Sequence, residues 1–160
     1  MNRSEKLSAL KLKFADLIDK PWPGRRYPGC YDVLQKYYAK YYPTPRQLQD
    51  FSLKKIYSFK EEAINDEGGV WAWRSPWGDM LNFDDMKEHD LMLFRVYTDP
   101  LYGSYSVPVD RAPNHGGVYL GDGFVLHQLY KKQSTVDDLL KRGNEIYQTA
   151  CVGGLRENST

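Results

Sequence analysis

Apolar residues in the first part of the chain recur at the spacing of α-helices. Five of them form one stripe after Ser4, a candidate N-cap, and this stripe predicts a helix over 4–19. The members of the stripe are Leu7, Leu10, Phe14, Leu17 and Ile18. A loop over 20–29 follows, because its three prolines and two glycines cannot continue a helix.

Leucine and tyrosine then recur at helical spacing, which predicts a second helix that begins at about Cys30 and stops before Pro43. Thr44-Pro45 is typical of a cap followed by proline in the first turn, and it predicts a short helix over 45–52. The stretch over 53–83 has no clear period. It contains three tryptophans, which are either core residues or the lining of a groove: Trp71, Trp73 and Trp77.

Further along the chain the pattern changes to that of β-strands. A continuous apolar run over 91–97 predicts a buried strand, with a loop over 98–112 after it. Runs over 116–120 and 124–129 predict a hairpin, because Gly121-Asp122-Gly123 between them supplies positive φ angles.

The C-terminal part is predicted to hold a helical turn and a last strand. Ser134-Thr135-Val136-Asp137 has the form of a capping box, so we expect a helical turn through Leu140. Residues 146–152 are expected to form the strand. Helices followed by an antiparallel meander give an α+β fold class, with N-terminal helices packed on one face of a small antiparallel sheet.

Charge and composition narrow the function classes. Lys plus Arg number 22 and Asp plus Glu 21, a net charge of +1 without the basic excess typical of a nucleic-acid partner. No apolar run approaches the ~18 residues of a membrane span. The first residues lack the apolar core of a signal peptide, so we expect synthesis in the cytosol without export by that route. Cys30 and Cys151 form no C-x-x-C pair, so no metal or cofactor is predicted, and Cys151 is expected in the core.

Two histidines belong to the predicted hairpin, where His115 opens the first strand and His127 closes the second. If the turn centres on Asp122, His127 lies opposite Gly117, and the two imidazoles are about two positions apart along adjacent strands. Side chains on one face could then share a site. The third histidine, His89, is expected in a surface loop.

Cys30 stands at the predicted start of a helix, directly after Pro28-Gly29. The N–H groups and the positive end of the helix dipole stabilise a thiolate there, so we expect a lowered thiol pKa. A cysteine nucleophile needs such a pKa, a base and a group that orients the base. Cys30, His115 and His127 supply these parts in a papain-like order. Zinc binding is the weaker interpretation, because no further ligand has suitable spacing.

The hairpin sequence resembles the NlpC family of papain-like cysteine peptidases, which cleave the peptide stems of bacterial cell wall. Asn-His-Gly-Gly-Val-Tyr-Leu-Gly-Asp-Gly-Phe-Val-Leu-His at 114–127 is similar to that family's histidine motif. His89 to Phe94 resembles the strand ahead of the motif, and Cys30 to Leu34 the nucleophile helix. The tyrosine-rich helix and the tryptophan-rich stretch are similar to the branch found in bacteriophage tail tips. The resemblance covers 25–155 of a single domain over 1–160, with an N-terminal helix and proline-rich loop over 1–24.

The resemblance implies a catalytic set of Cys30 as nucleophile, His115 as general base and His127 as the group that orients it. It also implies that Tyr27 and Tyr31 contact substrate or support the oxyanion. The chain departs from the family around the nucleophile. Gly29 replaces the usual Asp or Asn, Tyr31-Asp32 replace a small pair, and His89 replaces the Gly of a Gly-Asp motif.

The function implied by the resemblance is hydrolysis of peptidoglycan stem peptides, at the bond between D-glutamate and the diamino acid. The implied partners are cell-wall peptides and other phage tail-tip proteins, with the protein carried in the virion. Two alternatives stay open. The chain could be a catalytically weak or inactive structural component of a tail tip, or an amidase or acyltransferase that uses the same thiol.

Overall fold

A computed structural model describes residues 1–22, 30–42, 69–75, 79–95, 115–129 and 131–157. The predicted helix over 45–52, the predicted loop over 98–112 and Trp77 lie outside the described residues. Within those ranges, no helix is both long and apolar enough to cross a bilayer.

Helix α1 spans Arg3–Lys13. Its N-cap is Asn2 and not the predicted Ser4, because Asn2 and Glu5 form a reciprocal capping box at the start of the helix. The helix also ends earlier than predicted, at Lys13. The rest of the predicted stripe continues through tight turns into the core, where three side chains are buried: Phe14, Leu17 and Ile18.

Helix α2 spans Tyr31–Lys40 and has Cys30 as its N-cap, so the predicted start of this helix is confirmed. Its buried side chains fall on one face at helical spacing, and that face packs on the sheet. They are Val33, Leu34, Tyr37 and Tyr38.

Among the described residues, six strands form one sheet, in which all neighbouring pairs are antiparallel. The elements after α2 are β1 (Gly69–Arg74), β2 (Leu91–Phe94), β3 (His115–Gly121), β4 (Phe124–His127), β5 (Thr135–Asp138), α3 (Glu145–Ala150) and β6 (Cys151–Glu157), with a 3₁₀ turn at Phe83–Asp85. The strand order is β1-β6-β2-β3-β4-β5. The predicted meander is therefore found in β2 to β5, while the C-terminal strand inserts between β1 and β2. The predicted α+β class, with N-terminal helices on an antiparallel sheet, is confirmed.

The β3–β4 hairpin is the predicted one, and its register is also confirmed, because Gly117 pairs with His127. The turn needs positive φ, and Gly121, Asp122 and Gly123 adopt 88°, 56° and 85°. Asp122 is thus a turn residue, as expected.

Two predictions in the C-terminal part are wrong. Residues 135–138 form β5 and not a helical turn, because they pair with β4 along their length. The Ser134 hydroxyl does not cap a helix; it donates to the Leu17 carbonyl. Residues 145–150 form α3, so the predicted last strand begins only at Cys151.

Alternate residues of each strand face opposite sides of the sheet and so build two cores. The core on the helix side contains Leu91, Leu93, Val118 and Leu126 together with side chains of α2. The core on the far side contains Met92, Phe94, Tyr119, Val125 and Cys151. Trp73 is 7% exposed and belongs to the far-side core, so the core interpretation is confirmed for this tryptophan.

Candidate active site

The Cys30 side chain is buried at the N-terminus of α2, with 8% of the residue exposed. The N–H of Gly116 and the backbone N–H of Cys30 itself lie close enough to the sulfur to favour its thiolate and so lower the pKa of the thiol. Gly116 directly follows His115 in β3. The helix therefore delivers the thiol to the start of the strand that carries the predicted base.

The predicted lowering of the Cys30 pKa is wrong for this closed arrangement. Burial raises the pKa of the thiol to about 12, and the two backbone N–H groups offset only part of that effect. Burial of a thiolate away from water and from any cation costs more free energy than the N–H groups and dipole of a helix N-terminus supply. At neutral pH the resting site therefore holds a protonated thiol.

The two hairpin histidines lie in direct contact. Nε2 of His115 and Nδ1 of His127 are 2.9 Å apart, and the residues are 1% and 0% exposed. The register explains the contact, since Gly117 opposite His127 has no side chain to separate the rings. Burial, followed by the neighbouring His127, lowers the pKa of His115 well below its usual value, so His115 is neutral at pH 7.

A third polar group, which sequence reasoning missed, continues the pair. Oδ2 of Asp137 lies 2.6 Å from Nε2 of His127. Asp137 lies on β5, the strand beside β4, where Val125 is its partner. Residues 135–138 read Thr-Val-Asp-Asp and show no period-two alternation of apolar and polar residues, so no sequence pattern marks Asp137 as part of a strand.

Aromatic rings enclose the histidine pair on the far side of the sheet. The Phe94 ring lies 5.6 Å from that of His115, and the Tyr147 ring contacts His127 edge-on at 5.3 Å. Both aromatic residues belong to or pack against the far-side core, whereas Cys30 belongs to the helix-side core. Thus His115, His127 and Asp137 meet through side chains, and Cys30 joins them at the backbone of Gly116.

Four other residues were singled out in the sequence: Tyr27, Tyr31, His89 and Cys151. Tyr31 is the first residue of α2, and Tyr27 lies outside the described residues. His89 lies in a turn, as expected for a loop residue, and its side chain is 27% exposed; the ring stacks on Tyr42 at 3.9 Å and lies 2.6 Å from the Tyr37 hydroxyl. Cys151 is fully buried, as expected.

A small, open cleft lies beside the first turn of α2. Its walls come from the chain after α1, from α2 and from the end of β4, and two lysines contribute to them. The lining residues are Leu17, Lys20, Pro21, Asp32, Val33, Lys36, Gln128 and Ser134. Across the described part of the chain, no three His, Cys, Asp or Glu side chains are grouped so as to hold a metal ion.

No protein-family model matches the chain, and no curated protein matches it. Among solved structures, the chain is similar to a Staphylococcus aureus subsp. aureus Mu50 protein described as similar to lipoprotein, NLP/P60 family, with a TM-score of 0.47 and 16% identity. The similarity covers 100% of this chain and 43% of that one, so this chain spans less than half the length of that protein. The function proposed below therefore rests on the site residues.

Proposed function

We propose that the protein is a cysteine peptidase of the papain-like NlpC type that hydrolyses peptide stems of bacterial cell wall. One observation carries the proposal: the N-terminal thiol of α2 contacts β3 beside His115, whose ring is hydrogen-bonded to His127. A thiol, a base and a group that orients the base are the parts that nucleophilic acyl transfer requires.

The reaction uses these groups in turn. His115 Nδ1 is the ring nitrogen not engaged by His127, and it takes the proton of the Cys30 thiol. The sulfur attacks the amide carbonyl, and a C–S bond forms while backbone N–H groups stabilise the oxyanion, a contribution of about 3 kcal/mol per donor. His115 then gives its proton to the leaving amine as the C–N bond breaks. Water then gives a proton to His115 and attacks the thioester; the C–S bond breaks, the acid product leaves, and His115 returns the proton to the Cys30 sulfur.

The buried thiol implies that the resting enzyme is latent. With a pKa of about 12, Cys30 reacts only after the site opens or water enters it. Lys20 and Lys36 line the cleft beside α2 together with Asp32, and the net positive charge of these three side chains favours a peptide with carboxylates. Substrate in this cleft is the event that we propose opens the site.

The finer assignments follow from the resemblance. We propose cleavage between D-glutamate and the diamino acid, by a protein made in the host cytoplasm and carried in a phage tail, where it contacts other tail-tip proteins. Burial of the thiol also favours a second candidate, a structural tail-tip component that keeps this fold without turnover. The thiol itself suits an amidase or acyltransferase equally well.

The test compares two cysteine variants on defined muropeptides, with products followed by mass spectrometry. We expect Cys30→Ala to lose cleavage by roughly 10³-fold or more, since the nucleophile is gone. Cys151→Ala removes the other buried thiol, which belongs to the far-side core, and should retain turnover per folded molecule.

Three other outcomes overturn the proposal. Equal cleavage by wild type and Cys30→Ala excludes the thiol as nucleophile. Transfer of the acyl group to an added amine in place of water identifies an acyltransferase. Absence of turnover on every muropeptide, with binding to other tail proteins intact, identifies the structural component.

A further inference from the structure

The hydrogen-bonded series in the site does not end at His127. It runs from His115 Nε2 to His127 Nδ1 at 2.9 Å, and from His127 Nε2 to Asp137 Oδ2 at 2.6 Å. Both imidazoles are buried, whereas the Asp137 side chain is 31% exposed and forms the outer end of the series. These groups lie on three adjacent strands, β3 and β4 of the hairpin and the edge strand β5, whose pairing holds them in register.

The positions of the protons follow from the chemistry of the outermost group. An ionised carboxylate can only accept, so Nε2 of His127 carries a proton and donates it to Asp137. When this is the only proton of the His127 ring, the other nitrogen, Nδ1, is an acceptor. Nε2 of His115 must therefore carry the proton of that ring, and Nδ1 of His115 is left with its lone pair.

We infer that Asp137 is a positioning residue that acts through His127 to keep the His115 proton on Nε2 and its Nδ1 free as a base. The inference deepens the proposed function and rests on it for the role of the base. The placement of the protons, however, depends on the three side chains alone and can be measured without turnover.

The charges around Asp137 keep it ionised. Burial favours the neutral acid, but the hydrogen bond from His127 and the positive charges of Lys11 and Lys141 outweigh burial and lower the pKa of Asp137. Lys11 comes from α1, and Lys141 from the turn after β5. Tyr147 of α3 faces the same group; burial and the Asp137 charge raise the pKa of its phenol, so Tyr147 remains neutral.

The first test measures the tautomers of the two histidines by ¹⁵N NMR of the imidazole nitrogens. In the wild type we expect both His115 and His127 to be protonated at Nε2. Asp137→Ala should shift both rings to mixtures of tautomers, because nothing then holds the outer proton. Asp137→Asn keeps the size of the side chain and replaces Asp137→Ala in the test if that variant folds poorly. It should also give a mixture of tautomers, since an amide can donate as well as accept.

Asp138→Asn is the matched control. Asp138 is the next residue of β5, and its carboxylate accepts from Arg3 and not from a histidine. Its loss should leave both tautomers unchanged. Tautomers that stay at Nε2 in both Asp137 variants, or a wild-type His115 protonated at Nδ1, overturn the inference.

The second test uses turnover of muropeptides against pH. Asp137→Ala should lower kcat by about 10²- to 10⁴-fold at neutral pH with little change in KM, as expected when a base is held in the wrong tautomer. A wild-type enzyme that cleaves and an Asp137→Ala variant that cleaves equally well also overturn the inference. If the wild type cleaves nothing, the proposed function fails, while the NMR result still decides the role of Asp137 in the series.

Discussion

On the side covered by α1 and α2 the sheet buries mainly apolar side chains around the Cys30 thiol, and its buried, hydrogen-bonded polar side chains Gln128 and Ser134 are uncharged. On the other side it buries imidazoles and a carboxylate. The imidazoles are those of the histidine series. The carboxylate is that of Asp90, which is 1% exposed and accepts from Trp73 Nε1 at 3.0 Å and from Arg156 at 2.8 Å.

The difference separates two tasks. Apolar contacts have little directional preference, so the helix-side core stabilises the fold and fixes where α2 begins without specifying the direction of any proton. Hydrogen bonds are directional, so the far side sets ring orientation and tautomer. The candidate site lies where the two sides meet, at the start of β3.

A matched pair of leucine truncations tests this separation and should give the largest change in stability. Leu155→Ala on the helix side and Leu139→Ala on the far side both remove a side chain that is 0% exposed. Each should lower the free energy of unfolding by about 3 kcal/mol, measured in urea. Leu139→Ala should in addition lower muropeptide turnover per folded molecule, because it loosens the core beside the histidines. Equal turnover in the two variants would contradict the separation.

The histidine half of the site could be predicted because its geometry is local. Gly121-Asp122-Gly123 dictates the turn, and the turn dictates that Gly117 pairs with His127. The start of α2 at Cys30 could be predicted for a similar reason, since the sequence Pro28-Gly29 disfavours a helix directly before it.

The rest of the site depends on contacts between distant residues. β5 has the letters of a capping box, and its pairing with β4 overrides that local preference, so Asp137 was missed. The raised pKa of Cys30 was missed because burial at a helix N-terminus depends on what the remainder of the chain packs over it. The insertion of β6 between β1 and β2 has no local signal either.

Gly117→Ala tests how closely the far side of the site is packed. Its effect on stability should be intermediate in size. An added Cβ would lie 2.6 Å from Val125 Cγ2 and 3.3 Å from His127 Cβ, and backbone oxygen is also close. We expect a loss of about 2 kcal/mol in the free energy of unfolding from this overpacking. The His127 imidazole should move, which would appear as changed ¹⁵N shifts of both hairpin histidines. Unchanged stability and shifts would show that the two strands separate at no cost.

The pH dependence of stability should depend on two histidines to different extents: His115 on the far side of the sheet, and His89, which contacts Tyr37 of α2. The unfolded chain protonates His115 below about pH 6.5, but burial and then His127 lower its pKa in the folded state, so acid favours unfolding. This contribution is complete above pH 6.5 and is lost as the pH falls, by about 1.4 kcal/mol per pH unit for one proton. His89 acts in the same direction, because partial burial lowers its pKa.

Urea unfolding between about pH 7 and pH 5 measures that slope. His115→Gln should remove most of one proton's worth of it, and His89→Gln a smaller share, since the His89 ring is 27% exposed. A wild-type slope in His115→Gln would show that the far-side histidine is protonated equally in both states.

The smallest effect concerns the helix that packs on β5. Asn2 accepts from the Glu5 N–H at 2.9 Å, and Glu5 accepts in return from the Asn2 N–H. Asn2→Ala should therefore cost about 1 kcal/mol of unfolding free energy, because it leaves first-turn N–H groups of α1 without this partner. Ser4→Ala is the control, since the sequence pattern favours Ser4 as the cap while the structure places Ser4 within the helix. A larger loss for Ser4→Ala than for Asn2→Ala would show that α1 begins at the predicted cap, Ser4. The register of the helix against β5 would then also differ from the one in the structure.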